Sequence, residues 1–114
     1  MSYIYLASPY SHPEDHVRLE RYNAACRKAA SLMQAGHVVF SPIAHSHAVA
    51  AHLPPDLLMS HEFWMQQDIP LLRYADKLMV LLIDGWQDSR GVTAEIDYAV
   101  SIRKLIEYVM PGDA

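Results

Sequence analysis

The chain has 114 residues, 52% of them hydrophobic and 19% charged, with a formal net charge of −4. That length supports one domain with a full core, and that composition excludes an intrinsically disordered chain. The pI near 5.9 and the scatter of nine Lys and Arg along the chain leave no basic footprint for a nucleic-acid polymer.

Cys26 is the single cysteine, so no intrachain disulfide can form, and a reducing compartment is expected. The opening MSYIYLASPY lacks the basic and long apolar regions of a signal peptide, and no apolar run is long enough to span a bilayer. A cytoplasmic protein with no membrane partner is the expectation.

Tyr3 to Ala7 (YIYLA) reads as a first strand, because it is β-branched and aromatic. Ser8 to Pro13 breaks it. Pro13 suits a first helical turn, with Ser11 or His12 as the cap and Glu14 and Asp15 favoured by the dipole. Tyr22, Ala25, Cys26, Ala29, Leu32 and Met33 form an apolar stripe at helical spacing, and Gly36 ends the helix. His37 to Phe40 is a second strand, stopped by Ser41-Pro42. Ile43 to His52 suggests a loose helical turn or two, before the break at Pro54-Pro55.

A further helix is expected from Asp56 or Ser60 to Tyr74, kinked or ended near Ile69 by Pro70. Leu78 to Ile83 is apolar throughout, the pattern of a strand buried on both faces. A turn-rich segment, Asp84 to Gly91, leads into a helix with Val92, Ile96, Ala99 and Val100 on one face. Leu105 to Met110 reads as the last strand. The order β-α-β-α-β-α-β predicts a three-layer α/β domain, flavodoxin-like or Rossmann-like. Its open parallel sheet should have four to five strands with helices on both faces.

In such a sheet, ligands bind beyond the carboxyl ends of the strands. Glu95 falls at the start of the helix after Gly91, beside backbone N–H groups lacking helical partners. An anion-binding turn with a carboxylate beside it is therefore a candidate site. Taken alone, Glu95 is an ordinary carboxylate near a helix start, Tyr5 a strand aromatic, Asp68 a solvated helix residue, and Ser89 and Gly91 common turn residues. His45 and His47 would face one side if extended, but no third ligand has recognisable metal spacing, so neither a metal nor a cofactor is expected. Proximity to the ligand suits His45 or His47 better, because their loop follows the second strand's carboxyl end. Phe63, Trp64 and Met65 read as core or interface rather than a stacking platform, whereas Trp86 is placed to shape a pocket.

Three motifs resemble the nucleoside 2-deoxyribosyltransferase superfamily, which includes deoxynucleoside 5′-monophosphate N-glycosidases. They are Ile4-Tyr5-Leu6-Ala7-Ser8-Pro9, then Gln67-Asp68 with Ala75-Asp76, then Ser89-Arg90-Gly91-Val92 leading to Glu95-Ile96 and Ala99. The stretch Ser41 to His47 is similar to a small bacterial and phage branch of it. The resemblance implies Glu95 as nucleophile on the anomeric carbon, Tyr5 orienting that carboxylate, and Asp68 near the sugar and base as acid or hydroxyl ligand. A carboxylate suits this chemistry because the transition state is oxocarbenium-like.

The resemblance also makes the residue six before the nucleophile a substrate determinant, Asp for free nucleosides and Ser for nucleotides. Here it is Ser89. Its hydroxyl with the N–H groups of Gly91 and Val92 would receive a phosphate, and Ser8 would contribute from the first loop. Asp88 next door is an alternative hydroxyl ligand, and Arg90, Arg18 or His12 could add positive charge. The expected activity is N-glycosidic cleavage of (deoxy)nucleoside 5′-monophosphates. The alternatives are deoxyribosyl transfer and a non-catalytic nucleotide-binding or signalling module. The partner is a small nucleotide or nucleoside, and the resemblance implies a homodimer or higher homo-oligomer.

Overall fold

The computed structural model describes residues 2–112. Four strands, β1 (Ile4–Ala7), β2 (Val39–Phe40), β3 (Lys77–Leu81) and β4 (Leu105–Val109), form one sheet in the order β2-β1-β3-β4. Every pairing is parallel, with Ile4 opposite Lys77 and Ala7 opposite Val80 between the inner strands. Five helices connect them: α1 (Asp15–Gln34), α2 (Pro42–Ala50), α3 (Pro55–Leu58), α4 (His61–Tyr74) and α5 (Arg90–Ser101). This is a three-layer α/β domain with a four-stranded parallel sheet.

The inner strands β1 and β3 are buried almost end to end, as their unbroken apolar runs require. Ile4, Leu6, Met79 and Leu81 pack on one face with Ala24, Ala29 and Leu32 of α1. Tyr5, Ala7, Leu78 and Val80 pack on the other with Leu72 of α4 and Val92 and Ala99 of α5. Each fully buried Leu or Val here contributes roughly 1.5–3 kcal/mol. Chain direction diverges between β1 and β3: α1 leads outward to β2 along one face, and α5 leads outward to β4 along the other. The carboxyl ends of β1 and β3 therefore border the crevice where this architecture places ligands.

Several boundaries differ from the sequence expectation. Helix α1 starts at Asp15, with Glu14 rather than Ser11 or His12 as its first carbonyl, and His12 Nδ1 instead accepts the Glu14 N–H at 3.1 Å. Its buried face contains Lys28, whose Nζ donates to the Met110 carbonyl at 3.0 Å, while Met33 is 52% exposed. Strand β2 is only two residues long, since His37 and Val38 lie exposed at the sheet edge. Helix α2 is a complete helix, because the Ser41 hydroxyl accepts the Ala44 N–H at 3.2 Å and Pro42 occupies the first turn.

Pro70 does not end α4, which continues to Tyr74. The proline forfeits one helical donor, but burial of Leu72 and the bond from the Tyr3 hydroxyl to the Leu71 carbonyl hold the last turn onto the sheet. In α5 the buried face is Val92, Glu95 and Ala99, with Ile96 half-buried; Val100 points outward and is exposed. Among the described residues, no helix is long and apolar enough to cross a membrane.

Candidate functional site

Three polar side chains meet where β1, α4 and α5 pack together. Alternation along β1 turns Tyr5 onto the face covered by α4 and α5, where it is completely buried. Glu95 sits on the buried stripe of α5, spaced three from Val92 and four from Ala99, and is 4% exposed. Asp68 is on α4, 8% exposed, spaced four from Leu72. The Tyr5 hydroxyl donates to Glu95 Oε2. An acid inside an apolar helical stripe is costly unless bonded, and Tyr5 supplies that bond.

The surroundings set the protonation of these groups. Burial pushes Glu95 up from its ordinary 4.5 to about 8; the Tyr5 hydrogen bond opposes that rise, and the neighbouring Asp68 charge adds to it. Burial likewise raises Asp68 from 3.8 to about 6. Burial first, then the Glu95 and Asp68 charges, keep the Tyr5 hydroxyl protonated well above its usual range. Between about pH 6 and 8 the pair therefore carries one proton, held on Glu95 while Asp68 is ionised.

Asp68 opens onto a groove between α2 and α4 of about 160 Å³, lined by Phe40, His45, Val49, Phe63, Trp64 and Gln67 among others. Phe40 links the groove to the buried cluster, its ring 5.6 Å from Tyr5 and 5.7 Å from His45. Phe63 and Trp64 read from the sequence as core or interface, Gln67 only as part of the Gln67-Asp68 motif, and Phe40 as an ordinary strand residue. The available signal was the spacing of Trp64, Gln67, Asp68 and Leu71, which puts all four on one helical face. His45 and His47 do not share a side, since α2 is helical: His45 faces the groove, while His47 stacks on Tyr22 at 3.9 Å and its Nδ1 lies 2.8 Å from the Tyr10 hydroxyl.

The remaining candidates flank the crevice. Ser89 caps α5, its hydroxyl accepting the Val92 N–H at 3.1 Å, and its carbonyl accepts the Thr93 N–H at 2.9 Å. The Val92 N–H is thus already bonded, and its side chain is core. The Arg90 and Gly91 N–H groups, at the first two positions of α5, come before any acceptor within the helix. Glu95 lies in the second turn, not beside these groups. Ser8, at the end of β1, is buried, and among the described residues its hydroxyl has no hydrogen-bond partner.

Trp86 lies outside the aromatic groove. It packs on the core beside Tyr108, with centroids 5.7 Å apart, and lines a separate cavity of about 210 Å³ formed by residues 82–88. Arg18 is engaged with the His12 carbonyl and Asp15, and Arg90 is exposed near His61, whose pKa it lowers after burial.

The fold and this cluster define an α/β domain with a buried tyrosine–dicarboxyl site beside an aromatic groove. The chain belongs to the family described as a domain of unknown function (DUF1937), whose model matches residues 2–110. No curated protein matches it.

Proposed function

We propose that this protein is an N-glycosidase that cleaves the base–sugar bond of (deoxy)nucleoside 5′-monophosphates. One observation carries the reading: Glu95, buried on α5, accepts the Tyr5 hydroxyl beside Asp68, which opens onto an aromatic groove. A binding domain has no need of a desolvated carboxyl pair, whose burial is a cost that catalysis can use.

In the proposed reaction the base lies in the groove between Phe40 and Trp64, with Gln67 and His45 at its edge. A Glu95 carboxylate oxygen bonds to the anomeric carbon as the C–N bond breaks. The bonding pair moves to the base nitrogen, which takes a proton from Asp68. Water then attacks the same carbon, Glu95 leaves, and the water's proton returns to Asp68. The net change is nucleotide plus water to free base plus sugar 5-phosphate. Near neutrality the one proton of the resting pair sits on Glu95, so it must first pass to Asp68, a shift that positive charge developing on the sugar favours. Ser89 in place of an acid, with the Arg90 and Gly91 N–H groups, supports a phosphate at the other end of the substrate. The lone Cys26 thiol suits a reducing cytoplasmic setting.

The test is incubation with a panel of nucleosides and 5′-monophosphates, with released base measured by chromatography and Glu95→Gln as the control. Base release from monophosphates by the parent alone is expected. Equal release by both proteins, or none from any substrate, would end this reading. Base exchange without net hydrolysis would replace it with transfer.

A further inference from the structure

The second turn of α1 reaches over the carboxyl end of the sheet, where the β1–α1 and β3–α5 loops face one another. Arg21 projects from that turn. Its Nη1 donates to the Ser11 carbonyl at 2.8 Å and its Nη2 to the Asp84 carbonyl at 3.3 Å, 63 residues further along the chain. A planar guanidinium can serve two acceptors at a fixed separation, which a lysine ammonium on a flexible stem cannot do as well. Gly85, next to Asp84, has φ +91°, and a Cβ there would collide with Arg21 Nη2. The glycine therefore supplies both the backbone conformation and the space for the guanidinium.

The segment after Gly85 leads directly to the site. The Trp86 N–H donates back to the Ile83 carbonyl at 3.1 Å and the Asp88 N–H to the Gly85 carbonyl at 3.1 Å, and this tight turn delivers Ser89 as the cap of α5. On the other side, Ser11 is three residues beyond Ser8. We infer that Arg21 is a positioning residue: its guanidinium clasps the two crevice loops together and so fixes Ser89 and the start of α5 opposite the end of β1. Arg21 touches no reacting group in this scheme. It acts through the loop that carries Ser89.

The clasp is tested first without substrate, by amide hydrogen exchange on the full chain. In Arg21→Ala, the hydrogen-bonded amides of these loops, Glu14, Trp86, Asp88 and Ser89, should exchange roughly tenfold faster, since two charge-assisted bonds are lost. The interior of α1 and strand β3 should be unchanged, and Arg21→Lys should be intermediate. The kinetic arm rests on the glycosidase reading. There KM for a 5′-monophosphate should rise about tenfold, with kcat within about twofold, because substrate placement is lost rather than chemistry. Exchange that is unaltered in either loop, or faster throughout α1 and the sheet, overturns the clasp. Loosened loops with an unchanged KM overturn its positioning role. A parent protein that releases no base sinks the glycosidase reading alone, because the exchange arm still judges the clasp.

Discussion

The hydroxyl of Tyr5 donates to the carboxyl of Glu95 across 90 residues of chain, and both groups are buried. Parallel pairing of β1 with β3 and the packing of α5 on that sheet bring them together. Tyr5→Phe removes the one interaction that lowers the Glu95 pKa. It should destabilise the protein by about 1–3 kcal/mol, since a buried carboxyl oxygen loses its donor. Urea unfolding at pH 7 checks the stability loss, and base release should fall roughly tenfold or more as the carboxylate becomes scarcer.

Glu95 and Asp68 also make stability depend on pH. Their pKa values are raised on folding, so at a pH below both ordinary values, 3.8 and 4.5, the stability is fully present. As pH rises the unfolded chain releases protons that the folded one keeps, and stability falls by up to about 1.4 kcal/mol per pH unit for each group. Asp68 contributes to this fall up to about pH 6 and Glu95 up to about pH 8. Denaturant midpoints across that range should decline, and Glu95→Gln should flatten the upper part. A midpoint for the parent that rises from pH 6 to 8 contradicts the assignment.

The same pair sets the expected rate profile. A single shared proton gives a bell-shaped kcat/KM with limbs near the two pair values, about 6 and about 8. Asp68→Asn should lower kcat/KM by about 10²–10⁴-fold and leave a single limb that rises with pH. Glu95→Gln should abolish activity, by at least about three orders of magnitude. An unchanged bell in Asp68→Asn would remove Asp68 from the proton transfer.

Ser89 separates structure from specificity. Ser89→Ala loses the cap on Val92 and should cost about 1 kcal/mol. Ser89→Asp keeps a good cap and adds a negative charge at the start of α5, where the proposed reading puts the phosphate. It should raise KM for 5′-monophosphates by at least about tenfold, since a like charge meets the phosphate, while KM for nucleosides stays level or falls. Steady-state kinetics on both substrates, with thermal melts of both variants, make the distinction.

Much of the layer order was legible in the sequence, for reasons visible in particular residues. Leu78 to Leu81 carry no polar interruption, and they lie buried in the inner strand β3. Ser60, one of the two helix starts read from the sequence, caps α4, while Ser41 and Ser89, read as a strand stop and a turn residue, cap α2 and α5. Pro70 misled, because the local penalty of a proline says nothing of the Leu72 packing that outweighs it. The stripe on α1 was drawn through Met33 rather than Lys28, since the carbonyl of Met110 that receives the lysine is 82 residues away.

At the site, the contact of Tyr5 with Glu95 was implied by the family resemblance and not by spacing, because the two lie 90 residues apart and meet only through the pairing of β1 with β3 and the packing of α5. The residue types were readable there, but the route between them was not. The aromatic groove was missed for a similar reason: Phe40 and Trp64 are ordinary apolar residues until α2 and α4 lie side by side.

Strand β1 has no partner in sequence nearer than β2, and its longer neighbour β3 begins 70 residues after β1 ends. Such long loops must close before the reward of pairing arrives, so the sheet is intrinsically slow to assemble. A partly folded or nascent chain therefore holds Tyr5 and Glu95 apart. On the proposed glycosidase reading, base release begins only once β1 has paired with β3 and α5 has packed on that pair, so it reports this closure.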